Sequence, residues 1–429
     1  VRAGYDDRAG RPCGRVRFHS VAEARYDFAP FGPGASRIGG ERAEFNKVYP
    51  QMAGSRALSI GIVGAGMGGL ATAAALKRVG IEVMVYEQAS QFARIGAGIQ
   101  IGCNAMRVLR KLGLEERLRA QSFYPRSWNN RDWRTGEVKF DMIFGESAEA
   151  KFGAPYLLAH RGDLHAALAS AVPPECVRLS HKLVGLEEGD DGVHLRFANG
   201  EIATADAVIG ADGVHSLVRE ILFGTSPVNF TGRIAYRTTY PATLLNGYKI
   251  DDCTKWWGED RHIVIYYVKP DRSEVYFVTS QPEPDFRIES WSAKGNVKEL
   301  RAAFEGFDSQ VTNVLDACPD VHKWAIVDRD ALSRWADGKV TLLGDACHPM
   351  TPYMAQGAAM AIEDAAVLSR CLEDIERDAI ANAFRRFETT RRERTARVQE
   401  TSRTNTWLRQ RTDADWVYAY DAWTTPLAA

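Results

Sequence analysis

Apolar positions first gather at Ala57-Leu58-Ser59-Ile60-Gly61-Ile62-Val63, a nearly unbroken run of small and branched side chains that reads as a buried strand. A glycine turn follows, then a helical stretch over Leu70–Val79, then Glu82-Val83-Met84-Val85-Tyr86-Glu87 as a second strand. Strand, helix and strand in that order make a βαβ unit, the start of a parallel sheet. Asn104–Ala120 is predicted as one amphipathic helix carrying Met106, Leu109, Leu112 and Leu114. Alternation around 177–209 predicts a hairpin-like region ending in Ala207-Val208-Ile209. The stretch 230–280 is rich in β-branched and aromatic residues, with Ile263–Val268 and Val275–Val278 joined by a Lys269–Ser273 turn, which predicts antiparallel sheet. Helices are expected over 296–317, about 358–373 and about 381–409, with a short strand at Lys339–Leu343.

Composition narrows the function classes. The 429 residues have room for two or three domains' worth of core, and 54 basic against 55 acidic side chains leave no overall field for nucleic acid or an anionic membrane. No apolar run approaches the roughly 18–20 residues of a membrane span. Seven scattered cysteines without a CxxC pair argue against a disulfide framework and a structural zinc, so no metal is expected and a reducing cytoplasm is. Residues 1–51 are rich in Arg and Gly and lack apolar periodicity. Residues 1–56 are therefore expected to be a disordered N-terminal arm, or translated sequence upstream of a natural start; an Arg-rich targeting arm is the alternative.

The chemistry begins at Gly64-Ala65-Gly66-Met67-Gly68-Gly69, a G-x-G-x-x-G match placed between strand and helix. The first glycine permits the tight turn, the second lets a pyrophosphate approach the backbone, and the third lets helix and strand pack closely. Glu87 stands 21 positions after Gly66, at the end of the next strand, where a carboxylate accepts from ribose hydroxyls. A dinucleotide is expected here, and NAD and FAD share the pattern. Two further segments repeat the grammar of apolar strand, glycine, acid and turn: Val208-Ile209-Gly210-Ala211-Asp212-Gly213-Val214-His215-Ser216, followed by Arg219, and Leu342-Leu343-Gly344-Asp345-Ala346-Cys347-His348-Pro349. A simple NAD dehydrogenase has no need of either.

GAGMGG with Glu87, GADGVHS and GDACHP together resemble the three FAD signatures of the single-component flavin aromatic hydroxylases, the 4-hydroxybenzoate and salicylate hydroxylase group. In order and spacing the resemblance covers roughly 57–425. It implies an α/β fold in which a Rossmann-like FAD-binding domain is interleaved with an antiparallel-sheet substrate domain, plus C-terminal helices. The expected boundaries are 57–124, 156–228 and 336–375 for the FAD-binding part, 125–155 and 229–335 for the substrate part, and 376–429 for the helical segment. The cofactor residues it implies are Gly64, Gly66, Met67, Gly68, Gly69, Glu87 and Gln88 on the adenosine side. Arg107 and Arg161 would face flavin and phosphates, Asp212 belongs to the signature that contacts FAD and is linked in the family to nicotinamide nucleotide use, Asp345 would bond the ribityl chain, and Pro352, Gln356, Gly357 and Ala358 would lie along the isoalloxazine.

On the substrate side, alternation puts His262, Val264 and Tyr266 on one face of a strand and Ile263, Ile265 and Tyr267 on the other. A histidine and a tyrosine four apart on one face can hydrogen-bond a phenol or carboxylate and assist deprotonation. Within the family, Cys253-Thr254-Lys255-Trp256-Trp257-Gly258-Glu259-Asp260-Arg261-His262 is similar to the hydroxynicotinate-hydroxylating branch, in which the carboxylate leaves as CO₂. This resemblance implies catalytic roles for His262, Tyr266 and Gln100, and substrate contacts from Cys253, Tyr236, Tyr353 and Met354. Histidines stand in that branch where this chain has Gln100, Tyr236 and Tyr353, and glutamine cannot take a proton near neutral pH. The implied function is hydroxylation of a hydroxylated aromatic or pyridine carboxylate by bound FAD with NADH or NADPH and O₂, through a flavin hydroperoxide. A salicylate or 3-hydroxybenzoate hydroxylase and a flavin oxidase or dehydrogenase are the alternatives. The expected partner is the small aromatic acid alone, with no nucleic acid and no membrane, in a monomer or a homodimer.

Overall fold

Ser59–Val63 lies at the centre of a six-stranded sheet because it is small and apolar on both faces. It pairs in parallel with Ala207–Gly210 on one side and Glu82–Tyr86 on the other. Ala207–Gly210 in turn pairs in parallel with Val340–Leu342, so three strands more than a hundred residues apart run side by side in one direction. Each ends in one of the three glycine turns. Their carboxyl ends therefore bring Gly64–Gly69, Asp212–Ser216 and Gly344–His348 to a single edge of the sheet, the edge where open α/β sheets bind ligands. The computed structural model describes residues 57–94, 97–286 and 293–429, so the expectation for 1–56 lies outside the described residues.

A second sheet of seven strands runs in the order His322–Asp328, Asn229–Pro241, Glu274–Pro282, His262–Tyr267, Cys253–Trp257, Ser127–Asp132 and Val138–Ile143. It is antiparallel apart from the parallel pairing of Cys253–Trp257 with Ser127–Asp132. The fold is thus α/β, a Rossmann-like FAD-binding domain interleaved with an antiparallel-sheet domain, with the long helix Ile380–Arg403 near the C-terminus. Helix Gly357–Cys371 is buried along nearly its whole length and packs against Met67–Arg78. No helix among the described residues is long and apolar enough to cross a membrane.

Three local expectations are corrected. The single helix over 104–120 is two, Cys103–Lys111 and Glu115–Gln121, because Gly113 takes a φ of +79° that no helix accommodates. The stretch 296–317 divides in the same way into Val297–Ala303 and Ser309–Ala317, around Gly306 at φ +81°. The region 177–209 holds a three-stranded antiparallel ribbon, Leu183–Gly189, Gly192–Phe197 and Ile202–Ala205, before the chain enters the parallel sheet.

Candidate active site between the glycine turns and the antiparallel sheet

The first turn is built for a close backbone approach. Gly64 has a φ of +103°, and a Cβ on Gly69 would overlap the carbonyl oxygen of Gly64. A Cβ on Gly68 would fall 2.7 Å from Leu343 Cδ2. Gly66 differs: nothing lies within 4 Å of its Cβ position, so the space above it is free for a ligand. Glu87 is pinned beside this space, its Oε2 accepting from Ala65 N–H at 2.8 Å and its Oε1 from Ala89 N–H at 2.8 Å. Gln88, next along, is exposed.

The second and third turns are tied together by Arg219, which is buried and donates to Ala346 O and Val214 O, both at 2.8 Å. Asp212 Oδ2 accepts from Val218 N–H at 3.1 Å, while its buried Oδ1 has no hydrogen-bond partner, and burial raises its carboxyl above the usual range. Asp345 opens into a cavity ringed by protein. Burial raises its carboxyl too, against the lowering influence of His348 and Arg161. Arg161 is in turn lowered by burial and supported by Asp345. An open cradle at Gly66 and an Arg161–Asp345 couple facing the same space fit a bound dinucleotide, whereas Asp212 sits behind the lining formed by its neighbours Ala211 and Gly213.

That space is a cavity of about 400 Å³ running from Gly66–Gly68 to the antiparallel sheet. Met67, Arg161, Asp345, Pro352, Gly357 and Ala358 line its first part. Its far wall is one face of the second sheet, where pairing sets side chains in rows. His262 lies opposite Ser280, Val264 opposite Val278, and Tyr266 opposite Tyr276. Tyr353 closes on this wall, with its hydroxyl 3.1 Å from Ser280 Oγ and its ring 5.6 Å from that of His262. Gln100 enters from strand Gly98–Ile101 and accepts a hydrogen bond from the buried Tyr156 hydroxyl. Gly98 must lack a side chain because its Cβ would strike the Tyr276 ring and the Tyr266 hydroxyl.

Burial, followed by the positive fields of Lys255 and Arg233, lowers His262 well below an ordinary histidine. Its imidazole is therefore neutral at neutral pH, and among the described residues neither ring nitrogen has a hydrogen-bond partner. Burial pushes the Tyr266 phenol well up, keeping it a hydrogen-bond donor. These two side chains can receive a hydroxyl proton and orient a polar ring substituent.

Other expected contacts fall elsewhere. Tyr236 projects to the opposite face of its strand from Arg237 and meets Glu299 through its hydroxyl at 3.3 Å, so period-two alternation takes it out of the cavity. Met354 is packed in the apolar core, and Cys253, opposite Tyr266 on the same face of the sheet, is buried beyond the residues that line the cavity. Gln356 accepts from Asn104 Nδ2 at 2.9 Å rather than lining the cavity. Arg107 donates to the carbonyls of Phe152, Tyr418 and Tyr420 and clamps the C-terminal segment. Conversely, Lys255, Arg237, Tyr276 and Trp324 line the cavity without having been singled out. Lys255 and Tyr276 were legible in principle, since they share the alternation phase of Trp257 and Val278 on strands already identified.

The fold and the three turns define a flavoprotein. The sequence model of the FAD binding domain family matches residues 57–402, and the chain belongs to that family, in the class of FAD-dependent aromatic-ring monooxygenases. It is 44% identical over 370 residues to the 6-hydroxynicotinate 3-monooxygenase of Bordetella bronchiseptica, covering 86% of this chain and 96% of that one. It is 36% identical over 342 residues to the 3-hydroxybenzoate 6-hydroxylase of Klebsiella oxytoca, covering 79% and 85%. Among solved structures, Klebsiella pneumoniae HpxO complexed with FAD and uric acid superposes with a TM-score of 0.73 at 27% identity, covering 84% of this chain and 91% of that one.

Proposed function

We propose that this chain hydroxylates a hydroxylated pyridine or benzene carboxylate, consuming NAD(P)H and O₂, with a hydroxynicotinate and loss of CO₂ as the leading form. In this reading 57–124, 156–228 and 336–375 hold FAD, while 125–155 and 229–335 hold the substrate. The observation that carries it is the single cavity joining the glycine turns to the wall of His262, Tyr266 and Tyr353. FAD, when bound along the turns, supplies reducing equivalents from the nicotinamide and the activated oxygen. The protein's part is to seat the ring, keep water away and take the ring hydroxyl's proton. His262, neutral in its buried setting, is the acceptor for that proton; losing it pushes electron density into the ring and prepares the carbon para to the oxygen for electrophilic attack. Tyr266 and Tyr353 donate hydrogen bonds from the same wall. Gln100, engaged by Tyr156, offers no titratable group toward a pyridine nitrogen, which keeps hydroxybenzoates as competing substrates.

The test is a panel of hydroxypyridine and hydroxybenzoate carboxylates scored for NADH consumed, hydroxylated product and released CO₂. NADH oxidation stimulated by every acid but yielding only peroxide would overturn the reading in favour of an oxidase. His262→Gln should lower kcat by about 10²–10⁴-fold, the span of a lost general base. Because burial lowers His262, the wild-type acid limb should lie below pH 6.5, with activity lost only as pH falls through that depressed value. A kcat–pH profile in which His262→Gln keeps the wild-type limb would remove His262 from proton transfer.

A further inference from the structure

The antiparallel wall carries a cation that the reading above leaves unused. Lys255 is 1% exposed, lines the cavity, and lies opposite Val264 on the strand next to His262. Among the described residues no carboxylate stands within ion-pair distance of its Nζ; its neighbour is the Trp257 ring, 3.9 Å from Nζ to centroid. The same ring lies 5.2 Å from that of His262, so amine and imidazole approach one indole from adjacent strands. A buried, unpaired ammonium is costly, and such groups persist where a ligand supplies the missing charge. The other cations of the cavity are engaged differently. Arg161 faces Asp345, and Arg237, two strands beyond Val264 in the same row, covers Trp324 at 4.1 Å. Among the described residues lining the cavity Asp345 is the sole carboxylate, and it belongs to the third glycine turn, so the wall around Lys255 carries no carboxylate of its own.

We propose that Lys255 is the receptor for the substrate's carboxylate, holding it by an ion pair against the wall while His262 meets the ring hydroxyl. This rests on the aromatic-acid reading of the cavity and sharpens it, since the substrate class then requires an anion and a hydroxyl at separate positions on one small ring. On sheet geometry, Lys255 and His262 are diagonal neighbours on one face, both against the Trp257 ring, so an anion at one and a hydroxyl at the other fall on separate positions of one small ring. Burial alone lowers the empty amine to about 7, and an incoming carboxylate restores its proton, so charge appears on Lys255 when the correct ligand arrives.

The experiment uses the FAD-loaded enzyme and measures equilibrium binding of 6-hydroxynicotinate, salicylate and 3-hydroxybenzoate, each beside its neutral carboxamide. The variants are Lys255→Met, nearly isosteric and uncharged, and Lys255→Arg. The wild type should favour acid over amide by about 10–100-fold, the worth of a charge-assisted hydrogen bond. Lys255→Met should erase that preference by weakening the acid while leaving the amide within about threefold, and Lys255→Arg should restore part of it. Lys255→Met should also keep its flavin and melt at a higher temperature than wild type at pH 7, because an unpaired buried amine has been removed. If the wild type prefers an acid and Lys255→Met prefers it equally, the Lys255 assignment fails and the aromatic-acid reading stands. If the wild type distinguishes no acid from its amide, that reading fails and takes Lys255 with it. A lower melting temperature with acid and amide weakened alike would make Lys255 structural and overturn the proposal.

Discussion

Replacing Arg391 with methionine is expected to destabilise the protein by about 3–5 kcal/mol, the cost of leaving buried charges without their partner. Arg391 is fully buried and pairs with Glu363 and Asp364, both at 2.7 Å and both buried. Arg394 adds two contacts of 2.8 Å to Glu363, and His348 Nε2 lies 2.6 Å from Asp364. Burial pushes both carboxyls up, but Arg394 and Arg391 on Glu363, and His348 and Arg391 on Asp364, hold them below their usual values. Asp364 also accepts from Gly344 N–H at 3.2 Å, so the network reaches the turn that presents Asp345. With the carboxyls depressed, their stabilisation is present above the unfolded carboxylate range and is lost only as pH falls through the lower folded values. In Arg391→Met the sign reverses for Asp364, whose carboxyl rises, so the deficit should narrow from pH 7 toward pH 5. Urea unfolding at those two pH values checks both parts. A variant within about 1 kcal/mol of wild type at pH 7 would show that the network carries little of the fold's stability.

Flavin loss is the expected result at the first turn, and two alanines should reach it by different routes. In Gly69→Ala the new Cβ overlaps a backbone carbonyl, which no rotamer change relieves, so helix Met67–Arg78 must move away from its strand. Overpacking of this kind costs about 1–3 kcal/mol and displaces the helix N-terminus from the phosphates. In Gly66→Ala the Cβ meets no protein atom and fills only the ligand's space. Both variants should bind FAD at least about a hundredfold more weakly, equivalent to about 2.8 kcal/mol of lost phosphate contacts. The apoprotein of Gly69→Ala should melt lower than wild-type apoprotein, while that of Gly66→Ala should not. Absorbance at flavin wavelengths after gel filtration and apoprotein melting curves measure the two effects. Full FAD occupancy in Gly66→Ala would place the pyrophosphate elsewhere.

Much of this molecule was readable from local chemistry. Strand Ser59–Val63, the glycine turn and Glu87 are specified by residues near one another in sequence, and the structure joins Glu87 directly to Ala65. Helix ends were less legible: Gly113 and Gly306 break helices that apolar periodicity alone would have continued. Arg107 shows a different limit, because an arginine after a glycine-rich segment has the right chemistry for a phosphate. Which way it turns was decided by carbonyls of Tyr418 and Tyr420, some three hundred residues later.

Short-range pattern therefore determined the parts: a dinucleotide turn, two more glycine-acid turns, and a strand with His262 and Tyr266 on one face. The same turns, through their resemblance to the three FAD signatures of flavin hydroxylases, pointed to the flavoprotein class, because backbone shape at a phosphate depends on a few adjacent residues. Tertiary structure alone decided which parts meet. Parallel pairing of three distant strands brought the turns to one edge, and strand phase sent Tyr236 out of the cavity while turning Lys255 into it. Burial then made His262 neutral and left Lys255 with no ion-pair partner among the described residues, because the cost of a charge depends on what surrounds it in space, not on its neighbours along the chain.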